Sequence, residues 1–166
     1  MTRTIVAGVD GSENSFVGLA TAADLAEQNG ARLSVVFVHD VGTGGALAAA
    51  YEGAAAQTLE QALVDLEATS RERAFDLLSD RHVEWTFDVI PGDAGHELIE
   101  TAKTHAASLI VVGGRGHSLL GGLVLGSVAQ KLVRESPISV LVVRHPEVND
   151  RVAGGRGRRP RARSAG

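Results

Sequence analysis

Six of the 20 glycines in this 166-residue chain fall in the 15 residues from Gly113 to Ser127, which read Gly-Gly-Arg-Gly-His-Ser-Leu-Leu-Gly-Gly-Leu-Val-Leu-Gly-Ser. Glycine tolerates positive φ and lets the backbone approach a ligand with no Cβ in the way. Ser127 is placed to cap the helix that follows, while the free amides of that helix's first turn face an anion. Backbone amides aimed at a phosphate, backed by a helix dipole, make a phosphate cradle. The plainer reading, a glycine-rich loop that simply turns tightly, stands beside it. Two better-known phosphate motifs are absent. There is no Gly-Lys-Ser/Thr, hence no Walker lysine to reach the β- and γ-phosphates. Nor does Gly-x-Gly-x-x-Gly follow the first strand with an acid about 20 residues on, as dinucleotide binding requires.

Other reactive side chains are sparse. Cysteine is absent, which excludes disulfides, thiolate metal sites and thiol nucleophiles. The six histidines (39, 82, 96, 105, 117 and 145) form no His-x-x-x-His pair and have no acid at ligand spacing, so a metal site is not expected. His117 lies in the glycine loop, where a solvated side chain is the preferred reading. Gly116 to Gly121 is one residue too long for the Gly-x-Ser-x-Gly of a nucleophile elbow, and its partners are missing.

Alternating apolar runs and helix-period segments must position these groups. Thr4 to Val9, Arg32 to His39, Val83 to Ile90, Ser108 to Val112 and Ile138 to Val143 read as strands. Helices are expected from Ser12 or Asn14 to Gln28 (apolar positions Val17, Ala20, Leu25 and Ala26), Leu59 to Leu78, Ala94 to His105, and about Ser127 to Glu135. Gly42 to Ala56, rich in Gly and Ala, reads as a loop, and Pro91-Gly92-Asp93 ends the third strand. This order argues for a doubly wound parallel sheet with helices on both faces. Ligands of such sheets sit outside the C-terminal strand ends, where strand order reverses. Asp10-Gly11-Ser12, the Val38–Asp40 strand end, and the segment from Gly113 onward can therefore meet at one site.

The spacing Gly113-x2-Gly116-x9-Gly126-Ser127, then Val128-Ala129 and, one helix later, Ser136-Pro137-Ile138-Ser139-Val140-Leu141-Val142-Val143, resembles the universal stress protein domain. Ile5 to Ser12 and Val36-Phe37-Val38-His39-Asp40 are similar to that family too, so the likeness covers about residues 3–144. The fold expected is α/β, a doubly wound five-stranded parallel sheet in the order 3-2-1-4-5. The resemblance marks the ATP-binding branch. It implies that Ala7 to Val9 form part of an adenine wall, that Asp10 lies beside the nucleotide, and that Val38 meets the adenine. It further implies that Gly113 and Gly116 approach ribose and phosphates, and that Gly126, Ser127 and Val128 bind phosphate through their amides. Two positions depart from the pattern. Gly114 often carries a hydroxyl in relatives, and Ala129 stands where a second Ser or Thr commonly adds a phosphate contact, each worth about 1 kcal/mol. Arg115 is suited either to pair with a phosphate or to lie solvated in the loop. Asp10 is suited to hold a magnesium ion riding on the phosphates, or to cap the next helix or touch the ribose; the latter is preferred. The resemblance also implies a homodimer paired through Ile138 to Arg144, an apolar strand at a sheet edge.

Charge divides the chain in two. Residues 151–166 hold Arg151, Arg156, Arg158, Arg159, Arg161 and Arg163 with no acid, whereas the first 150 residues hold 10 basic and 20 acidic side chains. A nucleotide-binding domain over 1–146 with a basic, disordered tail over 147–166 is expected. That tail lacks aromatics, so specific nucleic-acid recognition is not expected. A disordered solubilising tail is the preferred reading, with weak, salt-dependent contact to nucleic acid or an anionic membrane and folding back over the acidic body as the alternatives. No run approaches the ~18 apolar residues of a membrane span, and no leader is evident at Met1, so the cytoplasm is the default. Three functions compete: an ATP-binding stress or regulatory module, a slow ATPase on the same scaffold, and a nucleotide-independent interaction dimer. Without a P-loop lysine, and with Asp10 the one evident general base, binding without efficient turnover is preferred.

Overall fold

Successive side chains on a strand point to opposite faces, and the first strand, β1 (Thr4–Val9), buries both. Ile5, Ala7 and Val9 enter one apolar cluster, and Val6 enters another on the far face. In a computed structural model of the chain, which describes residues 3–39, 54–114 and 125–144, β1 is the central strand of a five-stranded sheet. The others are β2 (Arg32–His39), β3 (Trp85–Pro91), β4 (Leu109–Gly113) and β5 (Ser139–Val143), in the order β3-β2-β1-β4-β5 with every pair parallel. The expected sheet order and its two helical layers are both present.

The helices are α1 (Glu13–Asn29), α2 (Ala54–Leu78), α3 (Ala94–Thr104) and α4 (Ser127–Glu135). α1 and α2 cover one face: Phe16, Leu19, Ala22, Ala23 and Ala26 pack with Ala74 and Leu78 over Leu33, Val35 and Val111. α3 and α4 cover the other, where Leu98, Ile99, Ala102, Ala129 and Leu132 pack over Val6, Val36, Ile110 and Val112. Ser12 caps α1 with its side chain, and Gly30, in the left-handed region at φ 59°, ends it.

Three local expectations shift. The buried stripe of α1 is Phe16-Leu19-Ala22-Ala23-Ala26, so of the expected apolar positions Ala26 lies in the core while Val17, Ala20 and Leu25 lie on its flanks. Small residues decide this. A Cβ on Gly18 would come within 3.2 Å of the Gly113 nitrogen, so the helix lies against the sheet on its smallest face. The segment expected to be a loop through Ala56 is already helical at Ala54, consistent with the high helix propensity of alanine; residues 42–53 lie outside the described residues. β3 starts at Trp85 rather than Val83, where its pairing with Leu33 begins.

Candidate functional site

Strand order reverses between β1 and β4, which pair side by side from Ile5 and Leu109 onward. Their C-terminal ends form the crevice in which such a sheet binds ligands. On the β1 side the chain turns through Asp10, Gly11 and Ser12. One Asp10 carboxylate oxygen accepts from the Ser12 amide at 3.0 Å and from its hydroxyl at 2.6 Å. The Ser12 hydroxyl oxygen in turn accepts from the Ser15 amide, and the Ser15 hydroxyl donates to the Ser12 carbonyl at 2.7 Å. Ser12 is therefore the helix cap, and Asp10 holds the cap. Gly11, at φ 85°, lies under Leu66, whose Cδ1 is 2.5 Å from where a Cβ would stand. α2 thus lies against the turn.

On the β4 side, Gly113 faces the first turn of α1. A Cβ there would meet the Asn14 carbonyl carbon at 2.6 Å and the Ser15 nitrogen at 2.8 Å. Beyond it the Gly114 amide donates to the Val143 carbonyl at 2.7 Å, and the Gly126 amide donates to the Gly114 carbonyl at 2.9 Å. This last bond sets the start of α4 directly beside the end of β4. Arg115 and Gly116 lie outside the described residues.

Gly126, not Ser127, is the N-cap of α4, and no side chain caps this helix. Ser127 is its first residue and is exposed. The first intrahelical bond runs from the Gln130 amide to the Gly126 carbonyl. The amides of Ser127, Val128 and Ala129 precede it and belong to the orphan set of a helix start. The Gly126 amide, also expected to bind phosphate, is already given to Gly114.

The remaining expected residues divide by face. Ala7 has no accessible surface and Val9 is buried, both on the α1 side of the sheet. Val38 and Val128 pack on the opposite side, against the cluster under α3 and α4. Asp10, Gly113, Gly126, Ser127 and Val128 thus share the crevice edge with Val38 one strand away, while Ala7 lies beneath it as scaffold. Buried Asn14, next to Gly113, keeps a side-chain oxygen without a hydrogen-bond partner among the described residues. Among those residues no cluster of three or more His, Asp or Glu is arranged for a metal ion.

Two side-chain pairs that tie helices together or to a strand end do not announce themselves in the sequence. Asp93 caps α3 by accepting from the His96 amide at 2.8 Å, and also accepts from Lys131 on α4 at 2.8 Å. The Lys131 hydrogen bond, then that of His96, holds the Asp93 carboxyl below its usual value, and Asp93 raises Lys131 in return. Gly95 leaves room for this crossing, since a Cβ would meet the Lys131 stem at 2.8 Å. Pro91-Gly92-Asp93 reads as a strand end, and only the fold brings Lys131 to it. At the end of β2, His39 Nε2 lies 2.8 Å from Glu67 of α2, and that contact is the main cause of the lowered Glu67 pKa.

A model of the universal stress protein family matches residues 1–144. The stress response protein NhaX of Bacillus subtilis is 30% identical over 161 residues, spanning 84% of this chain and 96% of that protein. Among solved structures, the universal stress protein UspA of Lactobacillus plantarum shares the fold with a TM-score of 0.69 at 24% identity, covering 86% of this chain and 97% of that one. A universal stress protein solved in complex with cAMP matches with a TM-score of 0.58 at 25% identity, over 86% of this chain and 97% of that one.

Proposed function

The chain belongs to the universal stress protein family, and from that premise we propose that it is an ATP-binding module whose output is a nucleotide-dependent change in conformation or partner, not turnover. One observation carries this reading. The Gly126-to-Gly114 hydrogen bond sets a helix start without a side-chain cap at the point where strand order reverses. The Ser127 and Val128 amides and the Ser127 hydroxyl are the phosphate ligands, with Arg115 and Gly116 completing the cradle. The base lies toward Val38 and the end of β1 at Val9 and Asp10, above the scaffold that Ala7 helps to build. A relative solved with cAMP supports an adenine nucleotide as the class of ligand.

Magnesium, when present, rides on the phosphates. The Asp10 carboxylate already accepts two bonds from Ser12, a turn-forming role that favours binding over metal-assisted hydrolysis. The domain works as a homodimer joined along Ile138 to Arg144, the strand at the open sheet edge. Its place is the cytoplasm; no helix among the described residues is long and apolar enough to cross a membrane.

ATP at millimolar concentration should raise the melting temperature more than GTP does, and freshly purified protein should release an adenine nucleotide on heating. Absence of both effects would sink the proposal. It would favour the alternative, a nucleotide-independent interaction dimer, for which one observation speaks: packing against Asn14 demands glycine at 113 with or without a ligand.

A further inference from the structure

Beginning at the first turn of α1 and running away from the crevice, α1 and α2 flank an open groove of about 540 Å³. Its apolar floor is Phe16, Val17, Ala20 and Leu77, and its rim carries the carboxylates of Glu13, Asp24 and Asp76, with Arg73 among the lining residues and Arg81 reaching Asp24 from the far end. We propose that the Arg-rich segment 151–166 of the same chain docks in this α1/α2 groove.

Charge selects the face. α1 carries three carboxylates and no basic residue, and α2 carries five against two arginines, giving a net charge of −6. The opposite helices, α3 and α4, carry three acids and three bases and are neutral. The segment 151–166 carries six arginines and no acid. One helical layer therefore complements it and the other does not.

Chemistry selects arginine in particular. The groove already receives a guanidinium in the way the proposal requires. Arg73 lies 4.2 Å from the centroid of the Phe16 ring while pairing with Glu13 at 2.5 Å. At the far end Asp24 pairs with Arg81, and outside the groove Arg71, also on α2, lies 4.5 Å from the Phe87 ring. A planar guanidinium stacks on an aromatic face and forks to a carboxylate together, which a lysine ammonium does not do. Asp76, in the groove wall, has no ion-pair partner among the described residues.

Geometry places the segment within reach. The last described residue, Arg144, lies against Gly114, and the adjoining Gly113 abuts Asn14 beside Glu13. The described chain thus ends near the end of α1 where the groove begins. The 22 residues after Arg144 span up to about 70 Å when extended. The whole of α1 is about 26 Å long. Exposed ion pairs are individually weak, but a tethered segment meets the groove at an effective concentration on the order of millimolar.

Because the chain has no cysteine, Ser164→Cys gives one site for a nitroxide label on the full-length protein. In its nitrogen-15 NMR spectrum, amides of residues 17–24 and 73–77 should lose most of their intensity, while those of α3 keep theirs. About 1 M NaCl, where the Debye length is about 3 Å, should restore the signals. So should Asp24→Asn with Asp76→Asn, and so should Arg158→Gln with Arg159→Gln and Arg161→Gln, which leaves the folded body untouched. Broadening spread over both helical layers, no broadening, or broadening that survives either set of variants overturns the proposal. Spin-labelled protein lacking nitrogen-15, mixed with unlabelled nitrogen-15 protein, should broaden nothing. Broadening there would assign the groove to a second copy and overturn docking within one chain.

Discussion

Gly113 and Asn14 hold α1 against β4 through their backbones: a Cβ on Gly113 would lie 2.6 Å from the Asn14 carbonyl carbon and 2.7 Å from its oxygen. Both neighbours are main-chain atoms in the first turn of α1, which Ser12 and Asp10 also anchor. Neither side of the contact can turn away as a side chain would.

Gly113→Ala is therefore expected to lower stability by about 3 kcal/mol, the upper end of ordinary overpacking. For a domain of this size that is roughly 6–12 °C in melting temperature. Gly114→Ala is the control. Its nearest neighbour would be Arg144 Cγ at 2.6 Å, on a side chain that can shift, with the Val143 carbonyl oxygen at 3.3 Å the one backbone contact, so the loss should be smaller, about 1 kcal/mol. Thermal unfolding without nucleotide measures both. Equal losses would mean that the α1 contact does not govern position 113.

Ser127→Pro separates the proposed phosphate cradle from the fold. Ser127 is the first residue of α4, where proline's missing N–H and fixed φ are tolerated. Gly126, at φ −59° and ψ 157°, already has the extended backbone that precedes a proline. The substitution removes one amide and one hydroxyl from the helix start. Loss of one hydrogen bond to a charged phosphate, about 1.5–3 kcal/mol, should weaken ATP binding by roughly 10- to 100-fold in calorimetry while the ligand-free melting temperature stays within a few degrees. Ser127→Ala, which keeps the amide, should lose much less. An unchanged affinity in Ser127→Pro would remove this helix start from the site.

How far these positions could be read from the sequence follows from what each depends on. Sheet order and both helical layers follow from element order and apolar periodicity, and these are local signals. The phase of α1 does not, because besides Phe16 and Leu19 its buried face is built from small or polar residues, Gly18, Ala22, Ala23 and Ala26 with Asn14 and Ser15. Hydrophobicity cannot rank such residues; the close approach to β4 does. Ser127 looks like the cap of α4, yet the hydrogen bond from Gly126 to Gly114 moves the cap back by one residue. Asp93 and Lys131 lie 38 positions apart, so their contact exists only once α3 and α4 share a face. Gly113 shows the reverse case: its glycine is visible in the sequence, but the α1 packing that requires it is not.

The Asp93–Lys131 bridge should make α4 sensitive to pH at both extremes. Asp93 has its pKa lowered in the fold by Lys131 and then by His96. Its contribution is therefore present above the unfolded value of about 3.9, and is lost as pH falls through the lowered folded value. Lys131 has its pKa raised by Asp93. Its contribution is present below the unfolded value of about 10.4, and is lost as pH rises through the raised one. Asp93→Asn keeps a side chain able to cap α3 while removing the charge. The gap in melting temperature between wild type and Asp93→Asn should be flat from about pH 5 to 9 and narrow beyond both ends. Because the pair is largely exposed, the gap should also shrink in high salt. A gap independent of pH and salt would show that the carboxylate acts through its shape alone.

The β5 edge gives the proposed dimer a backbone test. Val143 turns its carbonyl toward β4, where it accepts from Gly114. Peptide groups alternate along a strand, so Val142 presents its N–H and carbonyl to the open edge. Proline at 142 removes that outward donor and leaves the β4 ladder intact, as edge strands allow. Wild type should sediment at twice the 17.2 kDa of one chain, and Val142→Pro as a monomer at the same micromolar concentration. Val142 also packs against the cluster under α3 and α4, so Val142→Ala is the matched control. It loses the side-chain contact but keeps the edge amide, and it should remain a dimer with a lowered melting temperature. If Val142→Ala dissociates as fully as Val142→Pro, side-chain packing rather than strand pairing holds the two copies together. A wild type that sediments as a monomer removes the β5 dimer altogether.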